Sequence, residues 1–198
     1  FFNKIGSITY LAARGAAFKL YDSGIEPDYI VGDLDTFYSS RKSENLKKSK
    51  VIHKPSQDIN DFEKTLIFAR ENVLEDILVI GFHGGELEHT LNNWSIFKRY
   101  SKKMKLCIYD RGRYAISMSE NFILPTSENE LISLIPQPAV KLTTNNLEWE
   151  LDNDSLVLGE REGARNIAKS EKISVQIHEG ELIIFFDHKL PYAPKINS

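Results

Sequence analysis

The sequence predicts an α/β fold: a parallel-sheet α/β domain over residues 1–112, then a small all-β sandwich domain over residues 113–198. Three observations lead there. Up to Tyr109, short β-branched runs alternate with stretches whose apolar residues recur at helical spacing, the pattern of a sheet built from βαβ units. Beyond Tyr109 the helical spacing stops and strand-like runs follow closely, as in a sandwich or barrel. Carboxylates also gather just after the strands of the first half, where open α/β sheets bind ligands.

In order, residues 8–13 read as a strand, Arg14-Gly15 as a turn, and residues 16–23 as a short helix. Ala13, Ala16, Ala17 and Leu20 are that helix's stripe and Gly24 its stop. Tyr29-Ile30-Val31 is the second strand. The lysine-rich residues 39–50, with Arg41, Lys42, Lys47, Lys48 and Lys50, read as a solvated helix or loop, or as a basic flap over phosphates. Val51-Ile52-His53 is a strand. A helix from Asp61 to Asn72 follows, burying Phe62, Leu66, Ala69 and Val73 and opened by an Asn60–Glu63 capping box. Residues 77–82 are the clearest buried strand, and Gly84-Gly85 permits a positive φ or a close approach. A helix then runs to Tyr100 with Leu87, Leu91, Trp94 and Phe97 on one face, and residues 105–109 are a strand. In the second half, strand-like runs fall at 114–118, 131–135, 140–142, 147–151, 156–158, 173–177 and 182–186, with Glu179-Gly180 as a hairpin turn. Residues 189–198 read as a loose tail.

Composition narrows the function. The net charge of −3 gives no global field for nucleic acid or anionic membrane, and the lysine clusters read as solvated faces. Cys107 is the single cysteine, which excludes an intrachain disulfide framework and a Cys-rich zinc site and fits the reducing cytoplasm. No apolar run approaches the ~18 residues that a membrane span needs. Phe1-Phe2-Asn3-Lys4 leads directly into folded-looking sequence, so no signal peptide is expected, and one more strand could precede it.

The chemistry starts at Ile30-Val31-Gly32-Asp33-Leu34-Asp35-Thr36: a strand, a glycine, and two carboxylates two positions apart. That is either an ordinary acidic turn or oxygen ligands for a hard cation such as Mg²⁺. Asp58 and Asp61 follow the next strand, and Glu88 and His89 the one after, with Lys64 sharing a helical face with Asp61. Carboxylates converging there would repel each other unless a divalent cation sat among them. Carboxylates, Mg²⁺ and a lysine suit phosphoryl or pyrophosphoryl transfer. Walker A, a Ser-His-Asp elbow and a cysteine nucleophile are all missing. A haloacid-dehalogenase-type phosphatase would need Thr or Val where Phe37 stands.

These segments resemble the thiamine pyrophosphokinase family. Ala12-Ala13-Arg14-Gly15-Ala16-Ala17-Phe18 is similar to that family's alanine-rich A-D-G-A-A/G-N segment, and Gly32-Asp33-Leu34-Asp35-Thr36 to its G-D-x-D-S. Ser56-Gln57-Asp58-Ile59-Asn60-Asp61-Phe62-Glu63-Lys64 resembles D-Q-D-x-T-D-F-x-K, and Gly84-Gly85-Glu86-Leu87-Glu88-His89 resembles G-G-R-x-D-H. Asn146-Leu147-Glu148-Trp149-Glu150-Leu151 matches the tryptophan-bearing G-L-x-W-x-L, and Gly163-Ala164-Arg165-Asn166 the S-x-S-N. Order and rough spacing hold over nearly the whole chain.

The resemblance implies pyrophosphoryl transfer from ATP to thiamine, with AMP as by-product, Mg²⁺ required, and a homodimer whose pocket lies between subunits. It implies Asp33, Asp35 and Asp61 as metal ligands, with Asp58, Lys64 and Glu88 in the catalytic set. Arg14, Gly15, Gly85, His89 and Asn92 fall on the ATP side. Trp149, Arg165 and Asn166 fall on the thiamine side, supplied by the partner subunit. Arg14, Phe18, Glu86, Glu88 and Arg165 depart from the family motifs. Arg14 replaces an aspartate and Glu86 an arginine, so Arg14 is a candidate both to take over phosphate pairing and to pair with Glu86. The alternatives are a catalytically impaired nucleotide- or thiamine-binding member, and pyrophosphoryl transfer to another small alcohol.

Overall fold

The computed structural model describes residues 8–33, 37, 41–74 and 76–187. Leu34, Asp35 and Thr36, the ends of the flanking reading at 39–40, Phe1-Phe2-Asn3-Lys4 and the tail at 189–198 lie outside the described residues. The described residues up to 77, with Glu86–Lys105, form one compact unit; Leu78–Gly85 and those from 106 onward form the other.

The first unit holds a parallel sheet, β1 (Leu11–Ala13), β2 (Tyr29–Gly32) and β3 (Lys50–His53), in that order. Ala13 lies opposite Val31, and Gly32 opposite His53, so the three strands end at one level. The helices are α1 (Arg14–Asp22), α2 (Asp61–Glu71) and α3 (Leu87–Ser101). Ala12, Ala17, Ile30, Phe37 and Leu46 make a small core, with Phe18 stacked on Phe37 at 5.6 Å. Leu46, packed into it, anchors the segment after a short 3-10 turn at Arg41–Asn45, within the stretch read as solvated.

The helix ends follow ordinary capping chemistry. Arg14-Gly15 is not a turn but the first turn of α1, and of the predicted stripe only Ala17 is fully buried. α1 stops at Gly24 (φ 83°): Gly24 N–H donates to the Tyr21 carbonyl at 2.8 Å and Ile25 N–H to Leu20 at 3.1 Å, a Schellman closure. At α2 the Asn60 side chain accepts from the Glu63 N–H at 2.9 Å. Glu63 does not complete the box. Its carboxylate turns to α3, taking hydrogen bonds from Arg99 Nη2 (2.9 Å) and the Tyr100 hydroxyl (3.1 Å). Burial and the Glu63 carboxylate together push the Tyr100 hydroxyl's pKa up.

Two helix-face expectations are corrected. Val73 is not on the buried face of α2. It lies beyond the helix end at φ 57° and 76% exposed, filling the position that glycine favours. On α3, Leu87 and Leu91 are 82% and 71% exposed, and the buried residues are Ile96, Phe97 and Tyr100, with Trp94 edge-on to Phe97. The helix packs by its C-terminal half only.

The second unit is built on an eight-stranded mixed sheet ordered β10-β8-β11-β6-β5-β4, with β7 on β11 and β9 on β8. Its strands are β4 (Asp76–Ile80), β5 (Lys105–Asp110), β6 (Arg113–Met118), β7 (Phe122–Pro125), β8 (Leu131–Asn145), β9 (Asp154–Val157), β10 (Gly163–Ile167) and β11 (Lys172–Asp187). Among the described residues β4 and β5 pair into this sheet. The reason for β5 is local: Arg111 and Gly112, both at positive φ, fold it back onto β6 with Ile108 opposite Ala115. The runs at 131–135 and 140–142 are one strand, and so are those at 173–177 and 182–186. Glu179-Gly180 is not a hairpin turn. It is a register shift inside β11, where Gly180 (φ 82°) runs so close to β8 that a Cβ would overlap the Ala139 carbonyl. Residues 147–151 form no strand, only a bridge from Leu147 to Ala168. Tyr114, Leu124, Ile132, Leu134, Leu142 and Phe186 lead its core, each such burial stabilising by roughly 1.5–3 kcal/mol. No helix among the described residues is long and apolar enough to cross a membrane.

Val73→Gly should raise the unfolding free energy by about 1 kcal/mol, because a β-branched residue at positive φ costs that much and glycine does not. A denaturant titration checks it: the midpoint rises. Cys107 is buried, and desolvation pushes its pKa up from 9.0 to about 12. The native thiol should therefore resist Ellman's reagent at pH 8 and react once guanidinium unfolds the chain. Because the unfolded thiol ionises first, stability should fall as pH rises from 9 toward about 12.

Candidate active site

The site grows from the register of β1 and β2. Ala13 faces Val31, so the next residue of each chain segment, Arg14 at the start of α1 and Gly32 leading into Asp33, emerge side by side. β3 lies against Gly32, the Lys54 N–H donating to the Gly32 carbonyl at 2.8 Å, and the chain then loops to Asn60 and the first turn of α2. That turn brings Asp61 and Lys64, three residues apart on one face, over the same strand ends.

Four charged side chains meet there. Arg14 Nη1 donates to Asp33 Oδ1, and Arg14 Nε lies 3.5 Å from Asp61 Oδ2. Lys64 Nζ donates to Asp61 Oδ1 at 3.4 Å and lies 3.9 Å from Asp33 Oδ2. Lys64 is only 2% exposed. A buried ammonium is tolerated only with such partners, since desolvation of an unpaired charge is prohibitive. Gly32 is what lets the group close: a Cβ there would come within 2.8 Å of the Arg14 Cβ and 3.2 Å of Asp61 Oδ1.

The arrangement answers the repulsion argument differently from the expectation. Two carboxylates converge, and two cations of the chain itself lie between them. Arg14 pairs with Asp33 and Asp61, whereas Glu86 has the exposed His89 at 4.0 Å, so an Arg14–Glu86 pair is not formed. Asp58 is exposed in the loop before α2, its N–H donating to the Ser56 hydroxyl at 3.3 Å. Glu88, His89 and Asn92 lie exposed at the start of α3, and Gly85 (φ 77°) precedes them, outside this cluster. Gly15 follows Arg14 in α1 with open space where a Cβ would stand. Asp35 lies outside the described residues, and among the described residues no group of three or more His, Cys, Asp or Glu is placed to hold a metal ion. The oxygen-only donors Asp33 and Asp61, cradled over a glycine, are nonetheless the chemistry a hard divalent cation takes.

Glu63 has a positioning duty that was not foreseen, and Asn166 has one beside the role expected of it. Glu63 looked like a capping residue, but it ties α2 to α3 through Arg99 and Tyr100, and Asn60 Nδ2 adds a bond to Asn93 Oδ1 at 3.0 Å. Only its burial within a polar helix turn would have given it away, and burial is not legible in sequence. In the second unit, Asn166 is buried and its amide is committed: Nδ2 donates to the Trp149 carbonyl at 2.7 Å, and Oδ1 accepts from the Trp149 and Ile167 N–H groups. It fixes the loop from which Trp149 projects, 61% exposed. Arg165 is exposed at a register shift of β10, at φ 60°, its N–H donating to the Ser133 hydroxyl.

Residues 6–108 match the family model described as thiamin pyrophosphokinase, catalytic domain, which alone spans more than half the chain. Residues 117–182 match the thiamin pyrophosphokinase vitamin B1 binding domain. Thiamine pyrophosphokinase 1 of Arabidopsis thaliana is 26% identical over 200 residues, covering 84% of this chain and 73% of that protein. Thiamine pyrophosphokinase 1 of Oryza sativa subsp. japonica is 29% identical over 164 residues, covering 76% of this chain and 62% of that one. Among solved structures, thiamine pyrophosphokinase from Bacillus subtilis superposes with a TM-score of 0.82 at 20% identity over 95% of this chain and 91% of its own. Thiamin pyrophosphokinase from Candida albicans gives 0.75 at 17% identity over 92% and 82%. These two likenesses are of fold. With both family models matching in order, the chain belongs to the thiamine pyrophosphokinase family.

Proposed function

We propose that this chain transfers a pyrophosphoryl group from ATP to the hydroxyethyl oxygen of thiamine, giving thiamine diphosphate and AMP. The observation that carries the reading is the meeting of Arg14, Asp33, Asp61 and Lys64 at the ends of β1 and β2, in a chain of this family. In such a transfer the hydroxyl oxygen bonds to the β-phosphorus. The bond from that phosphorus to the oxygen bridging the α-phosphate breaks, and the bridging oxygen leaves with AMP. The hydroxyl proton passes to a carboxylate or to solvent. Catalysis is then largely positioning and charge neutralisation, for which a fixed, desolvated ammonium such as Lys64 and a forked guanidinium such as Arg14 are suited. Asp33 and Asp61, with Asp35 between them in sequence, would hold Mg²⁺. When bound, the ion supplies positive charge to the phosphate oxygens.

The remaining assignments follow the same reading. Asp58 and Glu88 assist the carboxylate set, and Gly15, Gly85, His89 and Asn92 serve the ATP side. A catalytic half runs to about residue 112, and a thiamine-binding half follows. The protein works as a homodimer, and Trp149 stacks on the cationic thiazolium ring in the partner's site, beside Arg165 and Asn166. The exposure of an indole on a loop fixed from below supports that role, since a flat aromatic face attracts a cation. The lone, buried, free cysteine supports a cytoplasmic setting.

With ATP, Mg²⁺ and thiamine, the purified protein should release AMP and thiamine diphosphate in equal amounts. Asp33→Asn and Lys64→Met should each lower kcat/KM by about 100-fold or more while leaving the circular-dichroism spectrum unchanged. Absence of AMP in the wild-type reaction would refute the reading.

A further inference from the structure

We propose that Arg14 is a built-in counterion that keeps free divalent cations off Asp33 and Asp61, so that the metal is admitted together with the nucleotide. The inference rests on the reading that these carboxylates hold a divalent cation, and it concerns this chain's own departure at position 14.

Two features of the geometry point to it. First, Arg14 engages both carboxylates at once, through Nη1 on Asp33 Oδ1 and Nε toward Asp61 Oδ2 at 3.5 Å. A guanidinium carries its donors in a planar fork and stays charged at any working pH, so it is a permanent occupant of that space. Second, Lys64 Nζ approaches the remaining oxygens, Asp33 Oδ2 and Asp61 Oδ1, from a side chain that is almost wholly buried. Each of the four oxygens thus faces a cation, and among these four described residues the formal charge is zero. A divalent cation arriving alone would have to displace the guanidinium or, beside it, raise the local charge by two.

A nucleotide changes that balance. Its polyphosphate is the group a guanidinium grips best, with paired donors on paired oxygens. Arg14 sits at the first helical position of α1 with its side chain 28% exposed, so a phosphate arriving from solvent meets the guanidinium beside the carboxylates. The carboxylates then face the metal that the polyphosphate brings. An aspartate at this position, as in the family motif, would instead add a further carboxylate and attract free metal.

The test is Mn²⁺ binding without nucleotide, read as free Mn²⁺ by electron paramagnetic resonance, on wild type, Arg14→Gln, Arg14→Asp and Arg14→Gln/Asp33→Asn. Thermal melts check that each variant is folded. Arg14→Gln should bind Mn²⁺ at least tenfold more tightly than wild type, Arg14→Asp more tightly still, and the double variant should lose the gain. Wild type binding as tightly as both Arg14 variants, with binding lost in the double variant, would overturn the counterion role and leave the cation site standing. No binding in any of them, Arg14→Asp included, would overturn the counterion role and the cation reading together.

Discussion

Two carboxylates at the end of a sheet repel each other, and most of the first unit is arranged so that Asp33 and Asp61 can nevertheless share one small volume. Arg14 and Lys64 supply opposite charge from two different helices. Arg14 emerges beside Asp33 because β1 and β2 end in register, and Asp61 lies over the strand end because residue 32 lacks a side chain. Secondary structure, strand register and one glycine are therefore joint conditions for this cluster to form.

The first turn of α2 carries several duties within five residues. Asn60 caps the helix, Asp61 and Lys64 point to the charged cluster, and Glu63 fastens the turn to Arg99 and Tyr100 of α3. The 3.6-residue period makes this possible, because positions 61 and 64 share one side while 60 and 63 share another. The buried Glu63 carboxylate is held on both oxygens by α3, so the orientation of the α2 turn that carries Asp61 and Lys64 is tied to that helix.

Periodicity and cap chemistry made much of the first unit legible. The strands at 29–31 and 51–53, the Asn60 cap and the Gly24 stop all follow from local rules, and Asp33, Asp61 and Lys64 were marked by their places after strands and on one helix face. Arg14 was read in a turn because Arg-Gly looks like one, and its pairing with the two carboxylates depends on strand register, which the sequence does not carry. Val73 and Leu87 kept helical spacing past the point where the helix ended or stopped packing; periodicity reports spacing, not contact. In the second half, the gap at 136–139 and Glu179-Gly180 separate runs that read as distinct strands. They lie instead at register shifts within long strands, where a local irregularity does not end the pairing. β10 escaped notice because Gly163-Ala164-Arg165-Asn166 lacks apolar alternation.

The hairpin between β5 and β6 gives the chain a covalent logic of its own. A cut at Gly112, between the segments that match the two family models, would sever β5 from β6 and take the whole row of partners away from the residues opposite Ile108, Tyr109 and Asp110. The excised C-terminal half would then present an unpaired strand rim, an open template for another copy to dock edge to edge. By pairing, β4 and β5 therefore belong to the sheet of the second unit, although in sequence they lie within the segment that matches the catalytic family model.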